Sequence, residues 1–241
     1  MKQAIFNWSG GKDSALALHY TLQNKEFNIQ KLLTSVNDTY DRISMHGVRT
    51  SLLKQQAKII GIPLQELRLP EQPSMEDYNK LLSKTMTGIK NEGIDYSIFG
   101  DIFLEDLKNY REQQLAKVGM KGHFPLWKRN TKELIHEFLD LGFKTIVVCT
   151  KAELLGKDFV GETITKDFLK ELPTTVDPCG ENGEFHTFVY DGPIFKEPIN
   201  FTIGEKIHRT YEAPKKKEDA CFASEPSVKP MGFHFCDLLP R

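Results

Sequence analysis

Two short stretches carry the residue types that could do chemistry. Ser9-Gly10-Gly11-Lys12-Asp13-Ser14 follows an apolar run, Ala4–Trp8, and leads straight into a helical pattern through Ala15, Leu16, Leu18 and Leu22. A strand, a glycine turn and a helix start together form an anion site. Unpaired backbone N–H groups face the turn, and the helix dipole adds about +0.5 charge there. Paired glycines let the backbone approach an oxygen with no Cβ in the way. Ser9 and Ser14 offer hydroxyl donors, and Lys12 a compact positive charge. A bare phosphate would repel Asp13, so Asp13 is expected to meet one through Mg²⁺. This is not a Walker A loop: Asp13 follows Lys12, and the leading glycine spacing is absent. The plain alternative is a glycine turn with Ser and Asp caps. Position weighs against it, because ligands of open α/β sheets bind at the carboxyl ends of strands.

The second stretch is Cys179-Gly180-Glu181-Asn182-Gly183-Glu184-Phe185-His186-Thr187-Phe188-Val189, followed by Asp191-Gly192-Pro193. Two glutamates three apart, with glycines before and between them, predict a turn that presents carboxylates. Such a turn could bind an ammonium or amine, hold a metal, or act as a base. An acidic surface turn entering a strand is the competing reading. Asp101, after Phe99-Gly100 at a strand end, is a candidate second Mg²⁺ contact or a group orienting the nucleophile. Its alternative is a cap for the following helix. His46 is a candidate for the nucleotide pocket, whereas His19 and His136 fall within helical patterns and read as structural.

These residues need a scaffold, and the N-terminal half supplies one by alternating strand-like and helical segments. Strands are expected at Ala4–Trp8, Ile29–Val36, Leu64–Leu69 and Tyr96–Phe99. Helices are expected at His46–Ile60, ending at Gly61, and at Ser74–Glu92. Such alternation implies a parallel sheet with right-handed crossovers. Helical patterns at Leu104–Val118 and Thr131–Leu141 follow, then a strand at Lys144–Cys149. From Pro173 onward glycine, proline and acidic residues cluster before strands at Phe185–Tyr190 and Asn200–Tyr211. Lys215-Lys216-Lys217-Glu218-Asp219 reads as a solvated, mobile turn. A boundary near residue 122 divides the chain into a nucleotide-binding unit, 1–122, and a substrate-binding unit, 123–241.

Composition narrows the function classes. With 32 Lys+Arg against 33 Asp+Glu in 241 residues, the chain has no net field for wrapping nucleic acid. No apolar run reaches the ~20 residues that span a bilayer, and the start does not read as a signal peptide. Cys149, Cys179, Cys221 and Cys236 lie far apart, fitting neither a zinc site nor a disulfide framework. The cytoplasm is therefore the expected compartment.

The first hexapeptide resembles the pyrophosphatase-loop motif, Ser-Gly-Gly-x-Asp-Ser, of the N-type ATP pyrophosphatases. Together with Gly180–Thr187, Phe99-Gly100-Asp101-Ile102, and Leu155-Gly156-Lys157 before Gly161, it resembles the diphthine–ammonia ligase family. The tail Met231–Pro240 resembles bacterial-type, shorter members of that family. The resemblance implies an α/β fold with a Rossmann-like parallel sheet of the adenine nucleotide alpha hydrolase (HUP) type. A smaller α+β C-terminal domain would complete it.

It also implies an ATP- and Mg²⁺-dependent ligase that adenylates a carboxylate, releases pyrophosphate, and lets ammonia displace AMP. Lys12, Asp13, Asp101 and Glu184 would be catalytic, with Asp13 and Asp101 on the metal. Ser9, Gly10, Gly11, Lys12, Asp13, Ser14, His46 and Gly100 would bind nucleotide. Glu181, Asn182, Gly183, Glu184, His186 and Thr187 would bind the substrate, a small-molecule or protein carboxylate, and ammonia. Two other readings compete: an ATP-holding sensor that does not turn ATP over, and a tRNA-modifying adenylating enzyme working through a cysteine pair. Pairing of the exposed strand at Asn200–Tyr211 offers a route to a homodimer.

Overall fold

A computed structural model describes residues 1–43, 46–211 and 231–241. The Lys215–Asp219 charge run and Cys221 lie outside the described residues.

The first half builds a sheet whose parallel strands run β4–β2–β1–β5–β6, with a short β3 paired antiparallel to the end of β2. The strands are β1 (Lys2–Asn7), β2 (Phe27–Asn37), β3 (Arg42–Ile43), β4 (Leu64–Leu69), β5 (Tyr96–Ile98) and β6 (Lys121–His123). Between them run α1 (Lys12–Asn24), α2 (Thr50–Ile60), α3 (Met75–Asn91) and α4 (Glu105–Lys117). Alternation within β1 decides what each face covers. Ala4 and Phe6 join one buried cluster with α1 and α2, while Ile5 joins the other with Met86, Ile89 and Leu115 of α3 and α4.

The second sheet is antiparallel, in the order β8–β7–β10–β9. It comprises β7 (Lys144–Lys151), β8 (Phe185–Asp191), β9 (Phe201–Tyr211) and β10 (Met231–Pro240), with α5 (Thr131–Asp140) and α6 (Lys166–Glu171) beside it. Its Val147, Phe188 and Val189 belong to the same buried cluster as Phe6, Trp8 and Leu52, so one apolar core spans both sheets. Among the described residues no helix is long and apolar enough to cross a membrane.

Several expectations shift. The helix predicted from His46 begins at Thr50, because Gly47 at φ +70° and the Arg42–Arg49 bridge hold the preceding residues in a turn. Asp101 does not cap α4; Leu104 does, without a side-chain bond. β3, β6, α6 and β10 were not predicted. The first three are short, and β10 reads HFCDL at its centre without clean alternation. Ser74 caps α3, accepting from the Asp77 N–H at 3.0 Å.

Candidate active site

The parallel order reverses between β1 and β5, and the crevice of an open α/β sheet forms at such a switch point. The Ser9–Ser14 loop leaves β1 there and Gly100-Asp101 leaves β5 there. The two ends touch. A Cβ on Gly100 would lie 3.0 Å from the backbone of Asp13 and Ser14, which is why the chain needs glycine at this position.

Within the loop the Gly11 N–H donates to Ser9 Oγ at 3.3 Å. Ser9 and Ser14 hydroxyls are 3.0 Å apart, and Ser14 Oγ donates to the Gly11 carbonyl at 2.9 Å. β8 covers the loop from the second sheet. The Val189 N–H donates to the Gly10 carbonyl at 2.9 Å, and the Lys12 N–H donates to Thr187 Oγ1 at 3.0 Å. The buried Lys12 ammonium donates to Asp13 Oδ2 at 2.7 Å and to the Cys179 carbonyl, over the face of Phe185. Burial works against its charge, but Asp13, Cys179 and Glu181 outweigh that and raise it above the ordinary lysine value.

The Gly180–Thr187 turn therefore meets the loop in space, and its two glutamates differ. Glu184 is buried and its carboxylate is consumed by the turn. It accepts from the N–H groups of Asp177 (3.0 Å) and Asn182 (2.9 Å) and from Asn182 Nδ2 (3.0 Å). Asp177 closes the other side, accepting from Cys179 N–H at 2.8 Å and from Thr131 Oγ1 at 2.7 Å. Glu181 instead reaches across to the β5 end, where Oε1 accepts from the Ile102 N–H at 2.9 Å. Burial, then the nearby Asp13 and also Asp101, push its carboxyl up to about 7. Burial and Asp177 likewise raise the Asp13 carboxyl against the pull of Lys12.

Asp101 is committed to Arg111 of α4, with Nε 2.7 Å from Oδ2 and Nη2 3.1 Å from Oδ1. His46 lies against Gly11 and shares a hydrogen bond with the Thr187 carbonyl at 3.3 Å. It stacks on His186 with ring centroids 4.6 Å apart. Burial pulls His46 down to about 4 and His186 well below the usual histidine range, so both are neutral at pH 7. His186 Nε2 is buried without a partner. Asn182 and Gly183 sit at the tip of the turn, Asn182 exposed. Among the described residues no three His, Cys, Asp or Glu side chains form a ready-made metal cluster.

Two family models match in chain order: the diphthamide synthase N-terminal domain over residues 1–122 and its C-terminal domain over residues 130–216. The chain belongs to the diphthamide synthase family. Curated relatives called diphthine–ammonia ligase are 24% identical over 254 residues in Schizosaccharomyces pombe and 28% over 151 residues in Mus musculus. These alignments cover 97% and 59% of this chain but only 41% and 54% of the relatives. The chain thus spans about half the length of these two relatives, or less. A Danio rerio relative of the same name is 24% identical, across 85% of this chain and 88% of its own length. Among solved structures, a predicted subunit of tRNA methyltransferase from Methanocaldococcus jannaschii is 18% identical. It covers 83% of this chain and all of its own, at a TM-score of 0.42.

In this family member the site also uses residues that sequence reading missed. Gln56, buried on α2, bonds to Trp8, Gly10 and Val189. The one sequence signal was a glutamine inside the apolar pattern Leu52, Leu53, Ala57. Arg111 gave no signal, being one charge among many on a polar helix.

Proposed function

We propose that this chain is an ATP-dependent, AMP-forming ligase that makes an amide from a carboxylate and ammonia; the relatives' name, diphthine–ammonia ligase, supports the joining of ammonia. One observation carries the reading: the glycine loop at the β1/β5 switch point and the glutamate turn of the second sheet meet directly, joined through Lys12, Thr187 and the Cys179 carbonyl. A phosphate chain on the loop would then face a carboxyl that is half protonated near neutrality.

In the first step a substrate carboxylate oxygen bonds to the α-phosphorus, and the bond from that phosphorus to the β-bridging oxygen breaks, releasing pyrophosphate. In the second, the ammonia nitrogen bonds to the acyl carbon, the bond to AMP breaks, and nitrogen loses a proton. Ser9, Gly10, Gly11, Lys12 and Ser14 would hold the pyrophosphate, with His46 and Gly100 lining the nucleotide side. Asn182, Gly183, His186 and Thr187 would hold the acceptor, and Glu181 would bind ammonium and take its proton. Glu184 would act through the turn it shapes. A carboxylate plus phosphate oxygens suits Mg²⁺. Asp13 would hold that ion, which would neutralise charge on the leaving pyrophosphate. Asp101, forked by Arg111, would orient rather than ligate.

The thiolase reading needs a reactive cysteine pair. Among the described residues Cys149, Cys179 and Cys236 are buried, and burial pushes the Cys149 thiol up to about 12, which speaks against it. The deciding experiment incubates the protein with ATP, Mg²⁺, ammonium and candidate carboxylates, and quantifies AMP and pyrophosphate. AMP that depends on the carboxylate and vanishes in Asp13→Ala supports the ligase. ADP as product overturns the mechanism, and tight ATP binding without turnover favours the sensor.

A further inference from the structure

We infer that Gln56 is a positioning residue of the nucleotide loop: its amide fixes the Gly10 peptide and ties the loop to β8 of the second sheet. The inference rests on the ATP-binding reading above. Gln56 is fully buried on the apolar face of α2, where a polar amide is costly unless every group is paired. Its groups are paired. Oε1 accepts from Trp8 Nε1 at 2.8 Å, and Nε2 donates to the carbonyls of Gly10 at 3.0 Å and Val189 at 2.7 Å. The Val189 N–H also donates to the Gly10 carbonyl, so one amide and one strand residue grip the same oxygen.

That grip has a stereochemical consequence. In a trans peptide the C=O and the following N–H point in opposite directions. Holding the Gly10 oxygen toward Gln56 and β8 therefore turns the Gly11 N–H to the other side, where it meets Ser9 Oγ. That is the side on which a phosphate oxygen would be received. Gly10 sits at φ +76°, and a Cβ there would come within 2.8 Å of Gln56 Oε1, so glycine and glutamine are fitted to each other.

Gln56→Met keeps the volume and removes all three bonds; Gln56→Glu keeps the Trp8 acceptor and removes the donors. Equilibrium binding of ATP to the full chain should weaken about tenfold or more in both, while each still unfolds in a single transition. A merely structural glutamine would lower the unfolding midpoint and leave the ATP dissociation constant within about twofold, which would overturn the inference. Amide hydrogen exchange on the wild-type protein gives a test independent of the variants' folding. ATP should slow exchange at Val189 and along α2 as well as in the loop. Protection confined to residues 9–14 would sink the idea. Wild-type protein that binds no ATP would instead refute the nucleotide reading itself.

Discussion

Glu181 and Glu184 are chemically identical and three residues apart, yet they occupy opposite situations. Glu184 is saturated by N–H donors, whereas Glu181 has one backbone donor, and burial together with its negative neighbours raises its carboxyl to about 7. A raised carboxyl means that the folded state holds a proton the unfolded chain has lost. That contribution to stability is full below the ordinary value of 4.5 and fades as pH climbs to about 7. Denaturant titrations from pH 4.5 to 8 should show this decline in wild type and a flatter profile in Glu181→Gln. Parallel profiles would refute the assignment. As a base the same group should make amidation rise with pH through about 7, and Glu181→Gln should lower the rate about 10²-fold or more. The resemblance read from sequence assigned the catalytic role to Glu184 and only a substrate-binding one to Glu181, whereas the structure ties up the Glu184 carboxylate within its own turn. Which of them is free depends on the donors of Asn182 and Asp177 and on the approach of Ile102, none of which spacing encodes.

Elements explain why these residues meet. Close contact between the end of β5 and the start of α1 depends on the missing side chain at Gly100. Gly100→Ala should therefore cost about 1–3 kcal/mol in denaturant unfolding and weaken ATP binding with it. A second tie joins β10 to the first sheet: Asp237 accepts from Arg42 at 2.8 Å and from Arg49 at 2.6 Å. Burial pushes its carboxyl upward, but the two guanidinium groups prevail and hold it down to about 2. Its stabilisation is present above the ordinary 3.8 and is lost as pH falls toward 2. Because both arginines are about a third exposed, Asp237→Asn should cost only about 1 kcal/mol at pH 7, and less near pH 2. The alternation of strand and helix before residue 100 was legible, apart from the two-residue β3, since its longer elements carry a period of their own. The contact between Asp237 and the Arg42–Arg49 turn was not, because nearly two hundred residues separate the partners.

For the molecule as a whole, the shared core is the governing fact. Phe188 of β8 is fully buried in the cluster that also holds Phe6 and Leu52. Phe188→Ala should cost about 3–5 kcal/mol. It should also lower tryptophan fluorescence and far-ultraviolet circular dichroism transitions together, since Trp8 sits in that core. Two separated transitions would mean that the sheets unfold independently. The sequence suggested two units divided near residue 122, with a further change of character after Pro173. That their apolar faces merge is a property of packing, which a single pattern read along the chain does not carry.

The order β8–β7–β10–β9 has a consequence for synthesis. Among the described residues β9 joins its sheet through β10 alone, a strand made after it. While the ribosome is still translating residues 201–230, β9 lacks its β10 partner, and the donors and acceptors it will give to β10 must stay hydrated. β7 and β8 can pair earlier, so the loop acquires its cover first and the outer ribbon closes last. Chains truncated after residue 230 and released should thus resist protease up to β8 and be cut within β9, a vulnerability that ends once β10 pairs with it.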